Sequence, residues 1–208
     1  MNQQTRQTRR RERSAGVRRV ILDATEAVLV DGGPDAFSIR RLVERCGYSA
    51  PTIYHHFGDK EGLLDALLRE RYARLAGYLR RSRKGDDPVE QLRSLAKAYV
   101  RFGVRHPNHY QLLFHRRAPD RAPPAEVDEV RVQLERVWTG LWEAGRLRSG
   151  DPEAASQSLW VLCHGLVSGH ILRPDLELSK TLVDDSIDAL LRGLVAPDPP
   201  TGRRRAQA

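Results

Sequence analysis

Apolar residues recur along this chain at intervals of three and four, and nowhere alternate in twos. The first spacing lays an apolar stripe along one face of a helix, whereas a half-buried strand needs a period of two. The pattern predicts a first helix over Ser14–Val30, striped by Val17, Val20, Ile21, Ala24, Ala27 and Val28 and ended by Asp31-Gly32-Gly33-Pro34. Three pieces follow between Ser38 and Leu68. Ser38 can cap the first, in which Ile39, Leu42 and Val43 share a face, and Gly47 suits the left-handed turn that ends it. Ser49 can cap the second, with Ala50 and Pro51 in its opening turn, where a missing N–H costs nothing. Ile53 and Phe57 then face inward, and Thr52, Tyr54, His55 and His56 point elsewhere. Phe37 is expected to plug the small core made with Leu42, Val43, Ile53 and Phe57. Asp59 opens a third, longer piece to about Ser82.

Five further helices complete the pattern. Asp87-Pro88-x-Glu90 is a start signal that combines a cap, a proline at the first position and a capping box; its helix runs to Arg105, where His106-Pro107 breaks it. A short helix follows from Pro107 to His115, and RRAPDRAPP (116–124) reads as an exposed loop. Then come Ala125–Leu147, Pro152–Leu172 and Ser179–Val195. Pro152–Leu172 is apolar almost all round, and such a helix is buried on more than one side. Within it, Gly165 and Gly169 are four apart and admit another backbone at close range. The chain is all-α, with about nine helices and no internal repeat.

A helix, a short glycine-containing turn and a second short helix form a helix-turn-helix, whose second helix enters a DNA major groove. At these residues the sequence resembles the N-terminal DNA-binding domain of the TetR family of bacterial transcriptional regulators. The resemblance runs from Ser14 to about Leu68 and is carried by Ile39 and Leu42, Gly47-Tyr48-Ser49, Thr52-Ile53-Tyr54-His55-His56-Phe57, Lys60-Glu61 and Leu64. A second likeness lies in His106–Phe114 and in Leu159-Trp160-Val161-Leu162-Cys163-His164-Gly165-Leu166, which resembles the C-terminal domain type named for a tryptophan, a histidine and a glycine, here Trp160, His164 and Gly165. The implied organisation is a basic disordered arm (1–13), a helix-turn-helix domain (14–62), an effector-binding and dimerisation domain (63–195) and a basic disordered tail (196–208).

The resemblance and the local chemistry together nominate the functional residues. Ser38, Ser49 and the backbone N–H groups of the helix starts, including those around Ala50 and Pro51, are ready anion sites. Arg40, one turn into the first helix, faces a base or a phosphate, and Tyr48 in the turn a phosphate. Tyr54, His55 and Lys60 match family positions that usually grip phosphates, His55 or its neighbourhood sometimes reaching bases, and Thr52 can offer its hydroxyl or methyl to a base or a phosphate. The family also implies a homodimer through the last two helices, here with Leu159, Leu162, Gly165, Leu166, Gly169, Ile187 and Leu191 at the interface. Tyr78, Tyr99, Phe102, Tyr110, Phe114, Trp138, Trp142 and Trp160, with His164, would line a pocket for a small apolar effector. The alternative for these rings is ordinary core packing. Effector binding would then shift the Asp59–Ser82 helix and release a palindromic operator.

Composition adds three points. A net charge of +8 and a pI near 10.0 favour polyanionic partners. Arginine outnumbers lysine 31 to 4, and clusters at Arg6, Arg9, Arg10, Arg11 and Arg13 and at Arg203–Arg205; the N-terminal cluster either follows a phosphate backbone, enters a minor groove or stays solvated. Two distant cysteines, Cys46 and Cys163, in apolar helical stretches read as buried thiols of a reducing compartment. No apolar run approaches the ~20 residues that span a bilayer, so a cytoplasmic protein without a membrane partner is expected. No catalytic motif involves the seven histidines, and neither an enzyme nor a cofactor is expected. Two rivals remain: a metal- or redox-responsive regulator using His106, His109 and His115 or Cys46, and a non-specific nucleic-acid-binding protein.

Overall fold

The computed structural model describes residues 3–32, 37–82, 85–115, 125–148 and 150–197. The loop expected over 116–124 and the tail from 198 lie outside the described residues. Within them the chain is all-α: α1 (Gln3–Gly32), α2 (Ile39–Cys46), α3 (Ala50–Phe57), α4 (Lys60–Ser82), α5 (Pro88–Arg105), α6 (Pro107–His115), α7 (Ala125–Glu143), α8 (Pro152–Leu172) and α9 (Leu182–Leu194). The one non-helical pairing is an isolated bridge between Leu147 and Val195, which closes the end of α7 against the end of α9 through Arg148 N–H to Leu194 O at 2.8 Å and Ala196 N–H to Arg146 O at 2.7 Å.

Most expected caps form. Ser38 accepts from the Arg41 N–H at 3.3 Å, and Asp87 from that of Glu90 at 2.9 Å. Asp151 accepts from the N–H groups of both Glu153 and Ala154. Gly47 takes φ 72°, a left-handed conformation that a side chain would strain, and its N–H closes on Val43 O. Glu90 departs from the capping-box expectation and turns its carboxylate to Arg93 instead. The helix starts also differ at two places. α9 begins at Leu182 rather than Ser179, since Ser179 and Thr181 spend their hydroxyls on each other. α1 begins at Gln3, where a disordered arm was expected. Between Gln3 and Ser14 there is neither glycine nor proline, and Gln, Arg and Glu are all good helix formers.

Two compact units divide the chain, one of residues 1–72 and 108–121, the other of 73–107 and 122–208. In the first, Phe37, Leu42, Ile53 and Phe57 are buried with Ile21, Leu22, Val28, Leu29, Leu63, Leu64 and Leu67, so the plug expected of Phe37 is in place. Tyr72 donates its hydroxyl to Leu113 O at 3.0 Å, which ties α4 to α6. In the second, α5 and α8 pack together and α7 and α9 lie against them. Trp138, Leu92, Val167, Ile187 and Leu191 fill that core.

The first unit also buries a charge cluster. The Arg71 side chain is 1% exposed and pairs with Asp23 at 3.1 Å, with Glu70 at 3.1 Å and with Glu26. His109 Nε2 lies 2.8 Å from the same Glu26 carboxylate. Burial alone would raise the Glu26 pKa. The hydrogen bond from His109 and the positive charge of Arg71 outweigh it and hold the carboxyl below its ordinary 4.5. A carboxyl with a depressed folded-state pKa contributes stability above its unfolded value and loses it as the pH falls through the folded one. Glu26→Gln is therefore expected to flatten the loss of stability below about pH 4.5, read as melting temperature against pH. An acid limb identical to that of the wild type would count against this assignment.

Candidate nucleic-acid interface

α3 has eight residues and two faces. Ile53 and Phe57, four apart, are buried and fix its roll on the core. The opposite face is left to solvent: Pro51, Tyr54 and His55 are exposed, with Ala50 and Thr52 half-exposed. Ser49 caps the helix by accepting from the Thr52 N–H at 3.4 Å, and its hydroxyl meets that of Thr52 at 3.0 Å. This second contact orients the Thr52 hydroxyl. The N–H groups of the opening turn and two hydroxyls thus share one end of the helix, a site suited to an anion.

Other predicted residues stand around this helix. Ser38 is exposed at the start of α2. Arg40 is also exposed, held by Glu44 at 3.1 Å in a pair one helical turn apart. Such an exposed pair is worth less than about 1 kcal/mol, so the guanidinium is readily drawn to a phosphate. Tyr48 is half-buried against the core, and its carbonyl accepts from the Cys46 thiol at 3.9 Å. Lys60 is exposed, and its ammonium donates to Phe37 O at 3.3 Å and lies 5.4 Å from the Phe37 ring centroid. It fastens the start of α4 to the core, and only its remaining donors face solvent. One residue escaped the sequence reading. Arg18 donates to His56 O at 2.8 Å, and its guanidinium carbon lies 4.4 Å from the Phe57 ring centroid, so α1 clamps the end of α3. Burial, then His55 and Arg18, push the His56 pKa down from its ordinary 6.5. An arginine three before Ile21 on the first stripe was the available signal.

The aromatic residues do not gather as expected. Tyr110 and Phe114 pack with ring centroids 4.6 Å apart within the first unit. In the second unit Tyr78 packs on Phe102 at 5.7 Å, and Phe102 on His106 at 4.9 Å, with Tyr99 half-buried on the same helix. Trp138 is fully buried, and its indole N–H has no acceptor among the described residues. Trp142 and Trp160 are half exposed, the latter stacked on His164 with centroids 5.1 Å apart. Both belong to a surface; for Trp160 on α8, a helix apolar all round gives no sign in its sequence of which side turns inward.

The same ambiguity corrects the interface residues. Leu159, Leu166, Ile187 and Leu191 are buried in the core of their own unit. Leu162 and Gly169 are half-buried, and Gly165 is exposed. The outward apolar surface of α8 is instead Trp160, Val161 (58% exposed), Gly165 and Leu172 (62% exposed). A Cβ built on Gly165 or Gly169 would meet nothing within 4 Å.

For the rival readings, His106 is spent on Phe102 and His109 on Glu26, while the His115 side chain lies outside the described residues. Among the described residues, no group of three metal-ligating side chains converges. Burial pushes the Cys163 thiol up to about 12, which removes its nucleophilic form at neutral pH. Cys46 is half-buried rather than buried. No described helix is long and apolar enough to cross a membrane.

Residues 21–67 match the family described as bacterial regulatory proteins of the tetR family, and residues 92–194 match the tetracyclin repressor-like C-terminal domain. The repressor AcnR of Corynebacterium glutamicum is 44% identical over 59 residues, 28% of this chain and 31% of its own length. The repressor Rv1474c of Mycobacterium tuberculosis is 40% identical over 67 residues, 32% of this chain and 36% of its own. The chain thus aligns with only about a third of the length of these curated relatives. A structure of a protein of unknown function from Rhodococcus sp. RHA1 superposes with a TM-score of 0.69 at 29% identity, covering 86% of this chain and 96% of that one. A TetR family regulator from Marinobacter aquaeolei VT8 gives a TM-score of 0.72 at 20% identity, covering 91% and 100%. With family matches at both ends and the same all-α fold between them, the chain belongs to the TetR family of bacterial regulatory proteins.

Proposed function

We propose that this protein is a DNA-binding transcriptional repressor of the cytoplasm that reads a palindromic operator as a homodimer and leaves it when a small apolar effector binds. The observation that carries this reading is the two-faced α3: Ile53 and Phe57 hold it by one side, and on the other Ser49, Tyr54 and His55 are exposed with Thr52 half-exposed beside them. Thr52 reads a base edge. Tyr54, Arg40, the Ser38 and Ser49 caps and the adjoining N–H groups of Ala50 and its neighbours hold phosphates, which fix register without reading sequence. His55 and Tyr48 flank them. Lys60 contributes through its place on Phe37 as well as through its charge.

The dimer follows from the surface of α8, where Trp160, Val161 and Leu172 lie bare around two unobstructed glycines. A two-fold dimer offers two recognition helices to two half-sites about 34–36 Å apart. The effector site is built on Trp138 with Tyr78, Tyr99 and Phe102. A buried indole N–H without an acceptor suits an apolar effector that carries one acceptor oxygen. The shift of α4 that such an effector would cause is the releasing step.

Selection of bound fragments from random duplex DNA tests the reading. A two-fold palindrome is expected to be enriched; an unenriched pool bound with salt dependence alone would mark a non-specific binder. On the selected duplex Tyr54→Phe is expected to weaken specific and random DNA alike by about fivefold, the loss of one hydrogen bond worth about 1 kcal/mol. A loss confined to the specific duplex would move Tyr54 from phosphate to base.

A further inference from the structure

Residues 7–16 of α1 form a surface that the proposed DNA contacts leave unused. Every side chain from Gln7 to Gly16 is exposed, and Ala15 is the only apolar one among them. The helix continues through this stretch with nothing in its sequence to bury, yet helices in water draw most of their stability from packing. It also carries Arg9, Arg10, Arg11 and Arg13 against the single acid Glu12. Arg9 and Arg13 stand four apart, a like-charge spacing that weakens an isolated helix. Such a segment gains from a polyanion. An interfacial membrane helix needs an apolar face, and this one has none.

The direction of the segment is set by Arg18. Its guanidinium is fixed to His56 O at the end of α3, and the buried stripe of Ile21, Leu22, Thr25 and Leu29 lies on the same side of α1. At 3.6 residues per turn, Arg11 lies seven residues before Arg18 and within about 20° of it around the axis. Ser14 and Gln7 fall on the same side, and Arg10 on its flank. The face that packs on the core after Arg18 therefore becomes polar and cationic before it, with Arg11 about 10 Å further along the axis. Arg9 and Arg13 fall on the opposite side.

We propose that this face of α1, Gln7, Arg10, Arg11 and Ser14, lies along the phosphate backbone of duplex DNA just outside the half-site that α3 enters. α1 is then a rigid basic extension of the DNA-binding surface, continuous with the recognition helix through the Arg18 clamp. It contributes affinity and footprint length, and no base readout. The inference rests on the DNA-reading role of α3.

Two charge-matched pairs of substitutions test it in the full-length chain: Arg10→Gln with Arg11→Gln, and Arg9→Gln with Arg13→Gln. Binding is measured against salt on a duplex selected by the wild type, once with ten or more flanking base pairs and once trimmed to the half-sites. The Arg10/Arg11 pair is expected to lower the slope of log K against log salt by about 2 per protomer on the long duplex. It leaves the trimmed duplex unaffected, and the Arg9/Arg13 pair keeps a near-wild-type slope on both. Equal losses for the two pairs would mean an undirected cationic arm and overturn the proposal. So would no loss for either pair, or an equal loss on a duplex RNA competitor of the same length. If the wild type enriches no sequence at all, the role of α3 falls and this inference with it; an enriched duplex bound normally by the Arg10/Arg11 variant removes this inference alone.

Discussion

Arg71→Ala is expected to destabilise the protein by about 3–5 kcal/mol, the cost of leaving a buried charge without its partner. For a chain of this size that lowers the melting temperature by roughly 10 °C. Arg71 is the hub of the first unit: its guanidinium reaches Asp23 and Glu26 on α1 and Glu70 on its own helix, with 1% of its side chain exposed. Removing it empties the volume of a long side chain and leaves Glu26 facing only His109. Asp23 and Glu70 are more exposed and return to water at little cost. Replacing both partners with apolar residues, Arg71→Met with Glu26→Leu, is expected to recover most of the loss, because neither charge is then stranded. Thermal or urea unfolding reads both variants. A loss under 1 kcal/mol for Arg71→Ala would show that the cluster is solvated and not a structural tie.

Gly165→Arg has the second large effect, and it falls on assembly rather than stability. A Cβ at Gly165 meets nothing within 4 Å, so the protomer accommodates the side chain and stays folded. In the proposed dimer the same position faces the twin helix, where a buried, unpaired guanidinium is strongly unfavourable. The mass in light scattering is expected to drop from twice 23.6 kDa to 23.6 kDa. Operator affinity is expected to fall by a factor of about 100 or more, as two linked half-site contacts become one. A variant that keeps the double mass would place the dimer elsewhere.

Most of the helix-turn-helix was legible because its signals are local. Ser38, Gly47 and Ser49 act within four residues of themselves, and Ile53 with Phe57 fixes one face by spacing alone. What escaped depends on residues far apart in the chain. Arg71 lies four after Leu67 and four before Leu75, on a buried stripe, yet two of its partners, Asp23 and Glu26, sit more than forty residues earlier. The metal reading of His109 failed to anticipate Glu26 for the same reason. α8 misled differently: with Leu159, Leu166 and Val167 on one side and Val161 and Leu172 on the other, both sides look apolar in sequence, and only packing distinguishes core from surface. The helical start of α1 was missed because an apolar stripe was the criterion, and residues 3–13 have none.

Outward presentation of Thr52 beside the Ser49 cap is where sequence reading is placed. A base-pair substitution scan of the selected duplex, run with the wild type and with Thr52→Ala, tests that placement directly. Thr52→Ala is expected to become indifferent at one base pair in each half-site, related by the two-fold axis, where the wild type discriminates by about 1–3 kcal/mol. An equal loss at every position, or unchanged discrimination throughout, would contradict it.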